Sequence, residues 1–147
     1  MSLLDKFLER LVFEVQKEFW DERGKGARYR LTRVGVSFAK ENLGDDIKDM
    51  EKIKRWLKES GFCGDVELSE DTYTFKMKVK DCCFKNIRDA FFNAKINPLS
   101  CPIANIFMYA VELNTGLAPE LLPIEVEDGD CKLTLAKMGT SEVVQSV

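Results

Sequence analysis

Val66-Glu67-Leu68-Ser69-Glu70-Asp71-Thr72-Tyr73-Thr74-Phe75-Lys76-Met77-Lys78-Val79-Lys80 is the stretch that decides the fold. Val66 and Leu68 alternate with Glu67 and Ser69, and Glu70-Asp71 supplies a turn. Tyr73, Phe75, Met77 and Val79 then alternate with Thr74, Lys76, Lys78 and Lys80. Successive side chains of a strand point to opposite faces, so this pattern gives an antiparallel hairpin with one apolar face and one solvated face.

Upstream the period is helical. Leu4, Phe7, Leu8, Leu11, Val12, Val15 and Phe19 recur at three- and four-residue steps among charges, a helix of about five turns that stops before Gly24. Phe13 and Trp20 widen its apolar stripe, so part of it is expected to pack on a partner subunit. Residues 27–42 read as a helix through Leu31, Val34, Phe38 and Ala39, with Gly35 in its middle at a cost of about 1 kcal/mol. Asp45 or Asp46 can cap the next helix, which carries Ile47, Met50, Ile53, Trp56 and Leu57 on one face and ends at Ser60-Gly61.

Downstream, residues 87–92 are a short helical candidate broken by Asn97-Pro98. Cys101-Pro102 opens an apolar helix that runs to Thr115-Gly116, and residues 121–126 and 131–136 form a second hairpin around Gly129-Asp130. The expected fold is α+β: an antiparallel sheet built from two hairpins with helices packed on one side, N-terminal helices at a dimer interface. No linker or repeat interrupts residues 1–147, so a single domain is expected, with 138–147 as a frayed tail.

Composition limits the chemistry. The chain contains no histidine, which excludes Ser-His and Cys-His catalysis and histidine-rich metal sites. A net charge of -3 argues against nucleic acid as a partner. No apolar run is long enough for a membrane span. Five cysteines, with no signal-peptide pattern before them, read as reduced thiols of a cytoplasmic protein.

Those cysteines sit at element borders. Cys82-Cys83 close the first hairpin, Cys101 opens a helix and Cys131 starts the last strand. Cys82, Cys101 and Cys131 are candidate zinc ligands, with Asp81 or Glu125 completing the shell, although no Cys-x-x-Cys spacing is present and neighbouring cysteines on a strand point apart. Cys101, at a helix N-terminus, is the best candidate for a reactive thiolate. Inert buried thiols are the competing reading. Tyr73, Phe75, Met77, Phe91 and Phe107 can line an apolar pocket or simply fill the core. Arg28 and Arg30, in a basic cluster with Arg23, Lys25 and Arg33, can hold an anionic group on a ligand or merely face solvent; the acidic stretch Glu120 to Asp130 can answer them across a dimer.

Taken in order, Ala27-Arg28-Tyr29-Arg30 leading to Gly35, Gly61-Phe62 before a hairpin that ends in Cys82, Cys101-Pro102-Ile103 and Gly129-Asp130-Cys131 resemble the 4-vinyl reductase domain, a family of hydrocarbon-binding proteins that shares its fold with subunits of the TRAPP vesicle-tethering complex. The resemblance covers residues 20–137. It implies a homodimer joined through N-terminal helices and a small apolar ligand, with a regulatory protein as possible partner. Relatives carry a further cysteine where this chain has Leu121-Leu122-Pro123-Ile124-Glu125, and often a histidine. The expected function is therefore a small-molecule-binding module for an apolar, hydrocarbon or tetrapyrrole-like ligand. The alternatives are a cysteine- or metal-dependent enzyme acting on a tetrapyrrole-like substrate, and an assembly subunit without ligand.

Overall fold

The computed structural model describes residues 2–23, 31–98 and 100–137. Helix α1 (Leu3–Arg23) is followed by α2 (Val36–Leu43), a 3-10 turn (Gly44–Lys48) and α3 (Met50–Glu59). Strands β1 (Asp65–Glu70) and β2 (Thr74–Lys80) come next, then α4 (Lys85–Asn93) and α5 (Pro102–Thr115). The chain closes with β3 (Glu120–Leu121), β4 (Glu125–Glu127) and β5 (Asp130–Ala136). The result is an α+β fold, an antiparallel sheet with helices packed on one side.

Both hairpins form, and they join through their second strands. The order is β1-β2-β5-β3, with β4 also paired to β5. Val66 lies opposite Val79, and Met77 lies opposite both Leu68 and Leu133. The inward row Val66, Phe75, Met77, Val79, Cys131, Leu133 and Leu135 merges with Ile53, Leu57, Ile103 and Phe107 into one core. The outward row stays wet, and three of its lysines are ion-paired: Lys80 with Glu67 at 2.8 Å, and Lys78 and Lys132 with Glu127 at 3.9 and 3.7 Å. Among the described residues no helix is long and apolar enough to cross a membrane.

The last hairpin is interrupted on one side. Pro123 has no N–H to give a ladder, and β3 and β4 are the two pieces left around it. The side chain of Asn97 takes the place of a missing strand there. Its amide donates to the Ile124 carbonyl and its oxygen accepts the Ile124 N–H, both at 3.0 Å.

Two local expectations need correction. Residues 27–42 are not one helix with a glycine inside it: α2 covers only Val36–Leu43, residues 32–35 form turns, and 27–30 lie outside the described residues. Gly35 sits just before α2 at φ +91, where a Cβ would stand 3.1 Å from the Cβ of Pro102. Only glycine lets the turn reach that backbone conformation this close to the start of α5. The cap of α3 is Asp49, not Asp45 or Asp46. Its carboxylate accepts from the N–H groups of Glu51 and Lys52 at 3.0 and 3.2 Å, while Asp45 and Asp46 belong to the preceding 3-10 turn.

Helix α1 has two different faces. It opens with a reciprocal cap, Ser2 Oγ accepting the Asp5 N–H at 3.0 Å and Asp5 Oδ2 accepting the Ser2 N–H at 3.2 Å. On the inner face Phe13 meets Phe91 edge-on with ring centroids 4.8 Å apart. Glu9 accepts from Asn86, and Gln16 accepts the Ser100 N–H at 3.3 Å. On the outer face Leu4, Phe7, Leu8, Leu11 and Val15 remain 44% to 64% exposed, and Val12, 42% exposed, sits at the border of the two faces.

Candidate functional site

The inner face of α1, the exposed end of the sheet, α4 and the start of α5 enclose an apolar pocket of about 50 Å³. Val12 and Gln16 come from α1, Ile87, Arg88 and Phe91 from α4, and Cys131 and Leu133 from β5. Cys82, Phe84, Pro98, Ser100, Cys101, Pro102 and Ile124 complete the wall. Each is placed by a chain feature. The αL residue Asp81 (φ 50) ends β2 and turns Cys82 inward. Phe84, Ile87, Arg88 and Phe91 follow helical spacing, so α4 presents all of them to one side.

The sequence-derived candidates divide in space. Cys82, Cys101, Cys131 and Phe91 meet at the pocket. Phe75, Met77 and Phe107 are core residues at most 8% exposed, Phe75 and Phe107 packing ring to ring at 6.5 Å, and none is on the pocket wall. Tyr73, 75% exposed, sits at the β1–β2 turn. Arg28 and Arg30 lie outside the described residues. Arg33 faces α5, bonding Glu112 at 3.3 Å with its guanidinium 4.9 Å from the Tyr109 ring.

Arg88 is the residue sequence reading passed over. It is 8% exposed and donates to the Gly129 carbonyl at 3.0 Å, the Cys131 Sγ at 3.3 Å and the Asp89 carboxylate at 2.9 Å. Burial opposes its charge, but the bonds to Cys131 and Asp89 more than offset this and hold its pKa above the ordinary value. The signal was readable: an arginine at position i+4 from Phe84 on an apolar stripe must either be buried or break the stripe.

The zinc expectation is overturned. No group of three or more cysteine, aspartate or glutamate side chains that could hold a metal ion occurs among the described residues. Cys82, Cys101 and Cys131 share a pocket without converging as a ligand shell, and a guanidinium occupies the Cys131 sulfur. Burial pushes Cys101 up to about 12, despite the opposing N–H groups of Ala104 and Ile103 at its helix start. Burial also raises Cys131, against the pull of Arg88, and lifts Cys63 to about 11. The helix N-terminus therefore does not make Cys101 a thiolate; desolvation wins.

Cys82 behaves differently. The neighbouring Cys83 thiol, the Phe84 N–H that donates to its sulfur at 3.3 Å and the positive charge of Arg88 together lower its pKa to about 7 against the cost of burial. Cys83 moves up, through Cys82 and burial. Both follow the end of the strand at Lys80, Cys82 buried and Cys83 exposed.

No family model, curated protein or solved structure matches this chain.

Proposed function

We propose that the chain is a small-molecule-binding module, holding an apolar ligand of a few heavy atoms between α1, α4 and the end of the sheet. The single observation that supports it is the apolar pocket of about 50 Å³ whose wall gathers one charged group, Arg88, and three thiols. A pocket of this size favours the small, hydrocarbon-like end of the ligand class that the 4-vinyl reductase-type resemblance implies over a tetrapyrrole. The wall carries no carboxylate among the described residues, which favours binding over acid–base catalysis.

Butan-2-one, with five heavy atoms, is a suitable probe. On titration, the amide resonances of Cys82, Phe84, Arg88 and Cys131 are expected to shift together and saturably. Shifts scattered over the surface, or none, would defeat the reading.

A second observation supports pairing of two copies through α1. Leu4, Leu8, Leu11 and Val15 form a seam that steps by four, three and four residues with Phe7 beside it, all on the exposed face. An apolar row of this kind is stabilised by a second copy of itself, and each leucine fully buried contributes about 1.5–3 kcal/mol. Sedimentation equilibrium is expected to give a dimer, and Leu8→Arg to weaken it by about a hundredfold or more while leaving the helical circular dichroism intact. A monomeric parent chain at high concentration would remove this reading.

A further inference from the structure

The hydrogen-bonding capacity left over on the pocket wall has one sign. Arg88, 8% exposed, carries a guanidinium that stays charged and presents five N–H groups. Its Nε and Nη2 reach the Asp89 carboxylate at 2.9 Å, and its Nη1 donates to the Gly129 carbonyl at 3.0 Å and to the Cys131 sulfur at 3.3 Å. The second Nη2 hydrogen has no acceptor among the described residues, and one Nη1 hydrogen is spent on a thiol, a weak acceptor. Gln16 adds to this. Its Oε1 accepts the Ser100 N–H at 3.3 Å, which turns the amide so that its N–H groups are left without an acceptor among the described residues. The side-chain oxygens of the wall are engaged: Gln16 Oε1 by that bond, and the Ser100 hydroxyl by the Leu31 carbonyl and the Asn105 amide, each at 2.9 Å. Asp89, which balances Arg88, stands outside the wall with its side chain 55% exposed. An apolar pocket with a buried cation and spare donors is complementary to a small anion with an apolar end.

We propose that the pocket is a site for the shortest monocarboxylates, formate and acetate in size, with the carboxylate on Arg88, Gln16 as a second donor, and the carbon end against Val12, Phe91, Ile124 and Leu133. The inference rests on the ligand-binding reading of the same pocket and gives that ligand a chemical class. A carboxylate accepts charge-assisted bonds, roughly twice as strong as those a neutral oxygen of the same size accepts from the same donors. The Cys131 sulfur is the partner that a carboxylate oxygen displaces from Arg88 most easily, while Asp89 and Gly129 keep the guanidinium in place. The pocket volume of about 50 Å³ favours a carbon end no larger than a methyl group. An inorganic anion would meet the donors but leave the apolar wall without a partner.

Acetate and acetamide share size and shape and differ in charge, so the two together decide the matter. In nitrogen-15 spectra of the full chain at pH 7, with total salt held constant by chloride, sodium acetate is expected to shift the Arg88 Nε–H and the Cys131 amide saturably. Its affinity is expected to exceed that of acetamide by about tenfold or more. Arg88→Met keeps an apolar stem and removes the donors, so it is expected to weaken acetate about tenfold or more while butan-2-one still binds. Gln16→Leu leaves the tie between Arg88 and Gly129 intact and is expected to weaken acetate about threefold, which keeps the proposal testable if Arg88→Met does not fold. Acetamide binding as tightly as acetate, or chloride alone reproducing the acetate shifts, would overturn the proposal. If butan-2-one shifts the pocket resonances and acetate does not, the carboxylate assignment fails and the binding reading stands; if neither registers, both fail.

Discussion

Asn105→Ala is expected to lower the unfolding free energy by about 2–4 kcal/mol, several times the effect of an ordinary surface change. Asn105 is 1% exposed, on the buried face of α5, and its amide group donates to the carbonyls of Leu31 and Val34 at 2.9 and 3.0 Å. It also lies 2.9 Å from the Ser100 hydroxyl, which itself donates to the Leu31 carbonyl at 2.9 Å. One side chain thus satisfies the turn before Gly35 and ties it to the segment that opens α5. Removing it leaves the Val34 carbonyl without this donor, at a cost of about 1–3 kcal/mol, while Leu31 keeps the Ser100 hydroxyl, and it leaves a void besides. Asn105→Asp preserves the volume but replaces donors by acceptors, so it should be no milder than alanine. Urea unfolding of both variants checks this. A loss below about 1 kcal/mol for each would mean the turn is held by other contacts. Because Ser100 is also on the pocket wall, the surviving folded fraction should show weaker butan-2-one shifts.

The layout of the fold was legible because its signals are periodic. Val66 to Lys80 could be nothing but a hairpin, and Cys101-Pro102 with Gly116 bracket α5 at its N1 proline and its left-handed exit. What failed was local and aperiodic. The spacing of Leu31, Val34 and Phe38 fits a helix, and nothing in it reveals that Asn105, seventy residues away, captures the carbonyls of Leu31 and Val34. A tertiary bond overrode the periodic pattern, and Gly35 was the visible trace of it. The site was half legible for the same reason. Border cysteines predict that the thiols meet, since strand ends and helix starts gather at one end of such a sheet. Whether meeting thiols chelate or merely pack depends on angles and desolvation, which spacing does not encode. Aromatic residues on strand faces and on α5 looked like pocket walls, yet the inward rows of a sheet under a helix fill the core first, as Phe75 and Phe107 do.

The buried thiols also set an alkaline limit on stability, and its sign follows from which state holds protons. Cys101, raised from 9.0 to about 12, and Cys63, raised from 9.0 to about 11, keep their protons in the folded chain after the unfolded chain has released them. Above pH 9 the unfolded state therefore binds fewer protons than the folded state, and stability falls as pH rises, by up to about 1.4 kcal/mol per pH unit for each thiol. The fall ends for Cys63 near pH 11 and for Cys101 near pH 12. Cys82 runs the other way. Lowered to about 7, it contributes stability that is fully present above pH 9 and is lost as pH falls through 7. The contributions of Cys63, Cys82 and Cys101 taken together peak near pH 9 and decline beyond it. Urea titrations at pH 9.5 and 10.5 on the parent chain and on Cys101→Ala isolate the contribution, because lysine and tyrosine ionisations are common to both. The variant is expected to start less stable, from lost packing, and to lose about 1 kcal/mol less across that unit of pH. Parallel slopes would show that the Cys101 thiol reaches solvent readily enough to ionise in place.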